Sequence, residues 1–347
     1  MKGYIKRKQA VEFREAAERA KLIVILTHTN PDGDAIGSVT ALSSYLKSRG
    51  KACKVVVPNP FPKNLAFMDK GRKILINSRQ KESVQAVFSE ADLIIALDFN
   101  QLKRVDEVEA YIRNSSAAKI LADHHPQPET SAFDLVISNT EVSSTSELIF
   151  WLIRTLEGGN IRNIPADCAQ SLYVGMMTDT NNFANSVAAG TFKMSYELME
   201  HGIDKETLQL KVFGGFSEGR MRLLGHSLLN KMKILNEFGA GYIILTKEDL
   251  ENFGFSEGDT EGFVNMPLNI NGITVSALFT EKDGHIRVSL RSANGFSVNK
   301  FSRKYFNGAG HERAAGGKLF IPVGEVGAYF EKCLALEQDS LSKAQDL

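Results

Sequence analysis

Short, unbroken aliphatic runs separated by amphipathic stretches constrain this chain more than any other feature. They occur at Leu22–Thr27, Cys53–Val57, Leu93–Leu97, Lys119–Ala122 and Leu135–Ile137. A strand without polar alternation has no face to offer to water, so each run must be covered on both sides, as in a parallel sheet. Parallel strands need crossover connections. Ile36–Lys47 and Glu147–Leu156 have the amphipathic spacing to supply them, and the second follows Ser144-Thr145-Ser146-Glu147, the spacing of a helix capping box. The fold class expected is α/β, with an N-terminal open parallel sheet.

After about residue 187 the pattern changes. Residues 188–233 read mainly as helix, broken by Gly214-Gly215. Hydrophobic strand-like runs follow at Gly241–Thr246, Ile273–Thr280 and Ile286–Leu290, with the turn formers Lys282-Asp283-Gly284 between the last two. The organisation expected is an open-sheet domain over 1–187, a helical connector over 188–233 and a smaller α+β domain over 234–347. A chain of 347 residues is long enough for two cores.

Charge restricts the partners. The 41 basic residues balance 41 acidic ones, so the molecule as a whole has no field that attracts long nucleic acid or an anionic membrane. Any polyanion it handles must be gripped locally. Cys53, Cys168 and Cys333 are far apart and odd in number, which fits a reducing compartment rather than a disulfide framework or a thiolate metal site. The apolar run at Leu22–Leu26 is too short for a signal-peptide core or a membrane span. A cytoplasmic location is expected.

Polar residues collect where the aliphatic runs end, and the carboxyl edge of an open α/β sheet is where ligands bind. The first run leads into His28, Asp32 and Asp34; the third ends in Asp98; the fourth ends in Asp123-His124-His125; and a run over Leu172–Thr178 ends in Asp179. Singly, each has a bland reading as a turn former, a helix cap or a surface imidazole. Together they bring several like charges to one edge, at a cost of several kcal/mol unless cations neutralise them. Imidazoles with carboxylates and no thiolate suit manganese, with magnesium or cobalt able to substitute. So many carboxylates exceed what one catalytic ion uses, and two ions about 3.5–4 Å apart would employ them all.

The order His28-x-x-x-Asp32-x-Asp34, then Asp98, then Asp123-His124-His125, then Asp179 resembles the DHH phosphoesterase superfamily. Asn307-Gly308-Ala309-Gly310-His311 through Gly317 is similar to the glycine-rich signature of the DHH-associated domain. The resemblance covers essentially the whole chain and is nearest to the bacterial oligoribonuclease and phosphoadenosine-phosphate phosphatase branch. It implies that His28 and Asp32 hold one metal, that Asp34, His124 and Asp179 hold the second, and that Asp98 bridges them. It also implies that His125 contacts the substrate phosphate or donates a proton, while Asp123 orients a neighbouring histidine. Two positions depart from the family pattern: Asn181 stands where glycine is common, and Ala309 interrupts the glycine run.

Lys282, Arg287, Arg291, Lys300, Arg303, Lys304, Arg313 and Lys318 outnumber Glu281, Asp283 and Glu312 between residues 281 and 318. Arg291, ending a strand-like run, is placed to fork onto phosphate. His311, Gly308 and Gly310 are further candidates for substrate binding, with Asn299 beside them. The function expected is hydrolysis of short RNA oligonucleotides, linear dinucleotides or related nucleotide phosphoesters such as 3′-phosphoadenosine 5′-phosphate, by a metal-bridging hydroxide. His125 and Asp98 would be the catalytic groups, and a homodimer is the self-association considered. The alternatives are a family II-type inorganic pyrophosphatase and a non-catalytic nucleotide sensor. A processive exonuclease would want an extended basic channel or an added nucleic-acid domain, and no such extra domain is visible in the sequence.

Overall fold

The computed structural model describes residues 3–293, 295–310 and 312–345. The chain divides into two compact units, Met1–Gly215 and Phe216–Leu347.

The first unit contains α1 (Arg7–Arg19), β1 (Leu22–Leu26), α2 (Gly33–Ser48), β2 (Ala52–Val57), β3 (Leu75–Ile76), α3 (Lys81–Glu90) and β4 (Leu93–Leu97). It continues with α4 (Val108–Asn114), β5 (Ala118–Asp123), β6 (Leu135–Ser138), α5 (Thr145–Leu156), α6 (Ala166–Asp179), α7 (Ala189–Glu200) and α8 (Lys205–Phe213). All six strands pair in parallel, in the order β3-β2-β1-β4-β5-β6. The reason lies in the aliphatic runs. In β1, Ile23 and Ile25 join one core with α1, α2, α5 and α6, while Val24 and Leu26 join the opposite core with α3 and α4. Alternate side chains thus feed two helical layers, and the two-period of a strand leaves neither face polar.

The second unit contains α9 (Glu218–His226), a π-helical turn (Ser227–Lys231), β7 (Met232–Leu235), β8 (Ala240–Leu245), α10 (Lys247–Asn252), β9 (Val275–Lys282) and β10 (His285–Ser292). α11 (Val298–Tyr305), β11 (Ala309–Gly310), β12 (Ala314–Leu319), α12 (Val326–Ala335) and α13 (Gln338–Gln345) complete it. Its sheet runs β11-β12-β10-β9-β8-β7 and is mixed: β8 and β9 are parallel, the other pairs antiparallel. The Lys282-Asp283-Gly284 turn joins β9 to β10, with Gly284 at φ 74°.

The helical stretch expected as a connector is divided between the units. Met194 and Leu198 of α7 and Leu208 and Val212 of α8 are buried in the first core, whereas Leu223 of α9 is buried in the second. Each helix has an apolar stripe that must be covered, and each stripe is absorbed by the nearest core. Among the described residues, no helix is long and apolar enough to cross a membrane.

Candidate metal centre

Three strand ends, the start of α2 and the end of another helix build the site. His28 follows β1, Asp32 caps α2 by accepting from the Ala35 amide at 3.0 Å, and Asp34 sits in the first turn of that helix. Asp98 follows β4 with φ 66°, a left-handed conformation that aspartate tolerates better than most residues. His124 and His125 follow β5. Asp179 corrects the sequence reading: Leu172–Thr178 is not strand but the end of helix α6, and Asp179 is that helix's last residue. A buried aliphatic run of this length has no periodicity that separates helix from strand.

The crossing of α2 and α6 brings Asp34 and Asp179 together. A Cβ at Gly37 would collide with the Ser171 carbonyl and the Gly175 backbone, and one at Gly175 would collide with Ser146 and approach Asp34 Oδ1 to 3.0 Å. The helices are therefore in backbone contact, and glycine alone permits it. Gly175→Ala is expected to destabilise the protein by about 1–3 kcal/mol through overpacking. Helix propensity alone would favour alanine by about 1 kcal/mol. The sign measured in urea unfolding separates the two effects, and stabilisation would refute the close crossing.

Among the described residues, ligand-type atoms form three groups, each with its atoms within 4.8 Å of one another: His28, Asp32 and Asp98; Asp34, His124 and Asp179; and Asp98, His124 and His125. Asp98 and His124 each belong to two groups. His28 Nδ1 lies 2.8 Å from the Thr29 carbonyl, so it donates there and leaves Nε2 with its lone pair toward Asp98 Oδ2 at 3.4 Å. His124 Nε2 lies 3.5 Å from Asp179 Oδ2 and 3.8 Å from Asp98 Oδ1. His125 turns its Nδ1 to Asp123 Oδ1 at 2.7 Å, so the aspartate orients the second histidine of the pair.

Burial dominates the electrostatics. It raises the pKa of Asp34 and of Asp98, with His124 opposing the shift at Asp34 and the charges of Asp34 and Asp32 reinforcing it at Asp98. Asp179 is pushed up to about 9 by burial and by Asp34, Asp98 and Asp32. His124 is depressed by burial. At His125 burial pulls downward, but the hydrogen bond and charge of Asp123 outweigh it, and the imidazolium is favoured. Divalent cations would hold the carboxylates of such a cluster charged. The nitrogen and oxygen donors present fit a hard or borderline divalent ion.

The sequence reading missed the residues that hold the carboxylates. Ser144 caps α5, accepting from the Glu147 amide at 3.0 Å. The two preceding helical amides, Thr145 and Ser146, donate to Asp34 at 2.6 and 2.8 Å, and Thr145 Oγ1 donates to Asp98 at 2.9 Å. The free amides of a helix N-terminus are thus spent on the Asp34 carboxylate. Glu147 does not close the box on Ser144; its buried carboxylate accepts from Ser143, Thr191 and Trp151. The signal was present, since a capping box announces free amides, but not their target.

In the second unit, Arg291 ends the β10 run as expected. Its guanidinium is half-buried, donates to the Leu290 carbonyl at 2.9 Å and has no carboxylate within 4.0 Å among the described residues. Burial lowers its pKa, with the charge of Glu261 opposing. The glycine-rich signature is strand rather than open loop: Ala309 and Gly310 pair with Gly316 and Ala315. A Cβ at Gly308 would collide with the Gly316 carbonyl and Ser302, so this glycine permits close packing. Asn299 donates to the Gly310 carbonyl and accepts from Arg303, which engages both ends of its amide. His311 lies outside the described residues. Asn181 adopts φ 47°, the conformation that glycine would take there.

Comparison with known proteins agrees with this architecture. The DHH family N-terminal domain matches residues 22–176, and the DHHA1 domain matches residues 239–320. An exopolyphosphatase-related protein from Bacteroides fragilis is 40% identical, with a TM-score of 0.93 over 97% of this chain and 98% of that one. The bifunctional oligoribonuclease and PAP phosphatase NrnA of Bacillus subtilis is 29% identical over 86% of this chain and 89% of its own length. RecJ of Thermus thermophilus, solved with Mn2+, shares the fold at 15% identity and a TM-score of 0.56, over 97% of this chain and 55% of that one. The chain belongs to the DHH family, with a DHHA1 domain in its second half, and is a hydrolase of phosphoester bonds.

Proposed function

We propose that this hydrolase is a two-metal phosphodiesterase of short RNA oligonucleotides and linear dinucleotides, with 3′-phosphoadenosine 5′-phosphate as a further substrate. The observation that carries the reading is the sharing of Asp98 and His124 between ion-sized ligand groups. His28 and Asp32 would hold one ion, Asp34, His124 and Asp179 the other, with Asp98 between them. The donor set favours Mn2+, with Mg2+ or Co2+ as substitutes. When bound, such ions neutralise phosphate charge and acidify water. The chain's own residues do the rest. Thr145 and Ser146 fix Asp34 and Asp98. Asp123 holds His125 at Nδ1, and the proton on Nε2 is then available to the departing alkoxide. Arg291 is a half-buried cation with no acid in contact among the described residues, an arrangement that suits a phosphate oxygen. Cys53, Cys168 and Cys333 are free and buried, which supports a cytoplasmic location.

The test is a substrate panel with manganese, from mononucleotide bisphosphates through dinucleotides to longer oligomers, with pyrophosphate and polyphosphate as controls. Dinucleotides and short oligomers are expected to have the highest kcat/KM. Arg291→Ala should lower kcat/KM on a dinucleotide on the order of tenfold to a hundredfold, the worth of one charge-assisted contact, and spare a small aryl phosphodiester. A preference for polyphosphate, which the name of the Bacteroides relative would suggest, or for pyrophosphate would overturn the reading.

A further inference from the structure

The metal centre occupies only part of the first sheet's carboxyl edge. β1 carries His28 and Asp32 there, and the same edge continues over β2 and β3, two strand spacings or about 10 Å further. The continuation is tied to the metal-ligand loop. Asn59, just past β2, accepts from the Asn30 amide at 2.6 Å and donates from its own side-chain amide to Asn30 Oδ1 at 2.5 Å. The next residue, Pro60, begins the wall of a cleft of about 1170 Å³.

The cleft is basic and aromatic in a protein that is neutral overall. Phe61, Lys63, Phe67, Arg72 and Arg79 line it. Between residues 63 and 81 the chain has Lys63, Lys70, Arg72, Lys73, Arg79 and Lys81 against one acid, Asp69. Asp69 is occupied within its own turn, accepting from the Lys73 and Ile74 amides. Lys81 pairs with Glu107. Lys63, Arg72 and Arg79 are exposed and make no ion pair within 4.0 Å among the described residues. A further cation, Lys211 of α8, lies 5.2 Å from the centre of the Phe67 ring. Arg72 is held at φ 51°, where asparagine or glycine would be less strained, so a long cationic side chain is kept at some backbone cost.

We infer that this cleft is a binding track for the phosphodiester backbone of a short single-stranded oligonucleotide, on the side of the metal centre away from β4 and β5. Lys63, Arg72 and Arg79 contact phosphates, and Phe61 and Phe67 offer ring surface to a base. Cations interleaved with aromatic rings are how proteins bind single strands without reading their sequence. Few contacts are available, so the track suits oligomers of several nucleotides rather than long strands. The inference rests on the reading of the enzyme as an oligonucleotide hydrolase, and names where the nucleotides beyond the cleaved bond lie.

The experiment measures binding separately from turnover. Anisotropy of a fluorescein-labelled pentaribonucleotide is titrated with the full chain in chelator, at several salt concentrations, for wild type and for Lys63→Ser/Arg79→Ser. The double variant is expected to bind on the order of tenfold or more weakly. The slope of log K against log salt should flatten by about 1.4, the share of two phosphate contacts on a single strand. Its hydrolysis of a dinucleotide with manganese should change less than twofold. Phe61→Leu, which keeps the packing apolar but removes the ring, should weaken the pentanucleotide several-fold and leave inorganic polyphosphate unaffected. Unchanged pentanucleotide affinity in the double variant overturns the track. Polyphosphate binding equally well, with no effect of Phe61→Leu, overturns its assignment to nucleic acid. If wild type binds through Lys63 and Arg79 yet fails to hydrolyse dinucleotides, the proposed function fails while the track stands.

Discussion

Asp98→Asn is expected to reduce phosphoester hydrolysis on the order of 10³-fold or more while the protein remains folded. Asp98 is buried, lies 3.4 Å from His28 and 3.8 Å from His124, and belongs to two of the three ligand groups. Its loss would remove shared charge from both proposed ions, and several kcal/mol of transition-state stabilisation translate to that factor at 1.36 kcal/mol per decade. Asparagine preserves what the fold asks of the position. It tolerates φ 66°, and its carbonyl can still accept from Thr145 Oγ1. In chelator the variant should melt at or above the wild-type temperature, because a carboxyl crowded by Asp34 and Asp32 is replaced by a neutral amide. Activity within tenfold of wild type would refute the bridging role. A large fall in melting temperature would assign Asp98 to folding.

The second large effect concerns pH. In chelator, stability is expected to fall as pH rises from about 6.5 to 9. Asp179 has an ordinary value of 3.8 and a folded value near 9. Across that interval the folded chain retains protons that the unfolded chain has released, so raising the pH favours unfolding. Asp34, Asp98 and His125 are raised and act in the same direction. His124 is depressed, and its opposing contribution falls below about pH 6.5, outside the window. A divalent ion bound at the cluster would take the place of those protons, so its stabilisation should grow with pH. At a hundredfold excess over Kd it contributes about 2.7 kcal/mol, on the order of 5–10 °C in midpoint for a unit of this size. Calorimetry in chelator and in manganese, across this pH range, measures both curves. Parallel curves would show that the ion does not bind at the carboxylate cluster.

The aliphatic runs and the chemistry at their ends were legible because both are local. Leu22–Leu26 and Leu93–Leu97 can only be strands covered twice, and the two helical layers receive their alternate side chains as the pattern requires. His28, Asp32, Asp34, Asp98, His124 and His125 follow directly from strand ends and one helix start, so sequence order was enough to nominate them. The division of 188–233 between two cores was not legible, because an apolar stripe does not state which surface will cover it.

The sequence by itself determined which carboxylates and imidazoles are candidates, and that the sheet's carboxyl edge is where most of them are presented. Tertiary structure alone decided how the carboxylates are held and joined. Asp179 reaches the site from the end of α6 only because that helix touches α2 at Gly37 and Gly175, a contact between segments far apart in the chain. Asp34 owes its two short amide contacts to the start of α5, more than a hundred residues away. The glycine-rich signature became a packed strand because Gly308 faces backbone across the sheet, and the basic cleft became a surface only when β2 and β3 joined the edge beside His28. The physical reason is common to all of these. Hydrogen-bonding preference and hydrophobic period act over a few residues, whereas the meeting of two backbones or of an amide with a distant carboxylate depends on how whole elements pack.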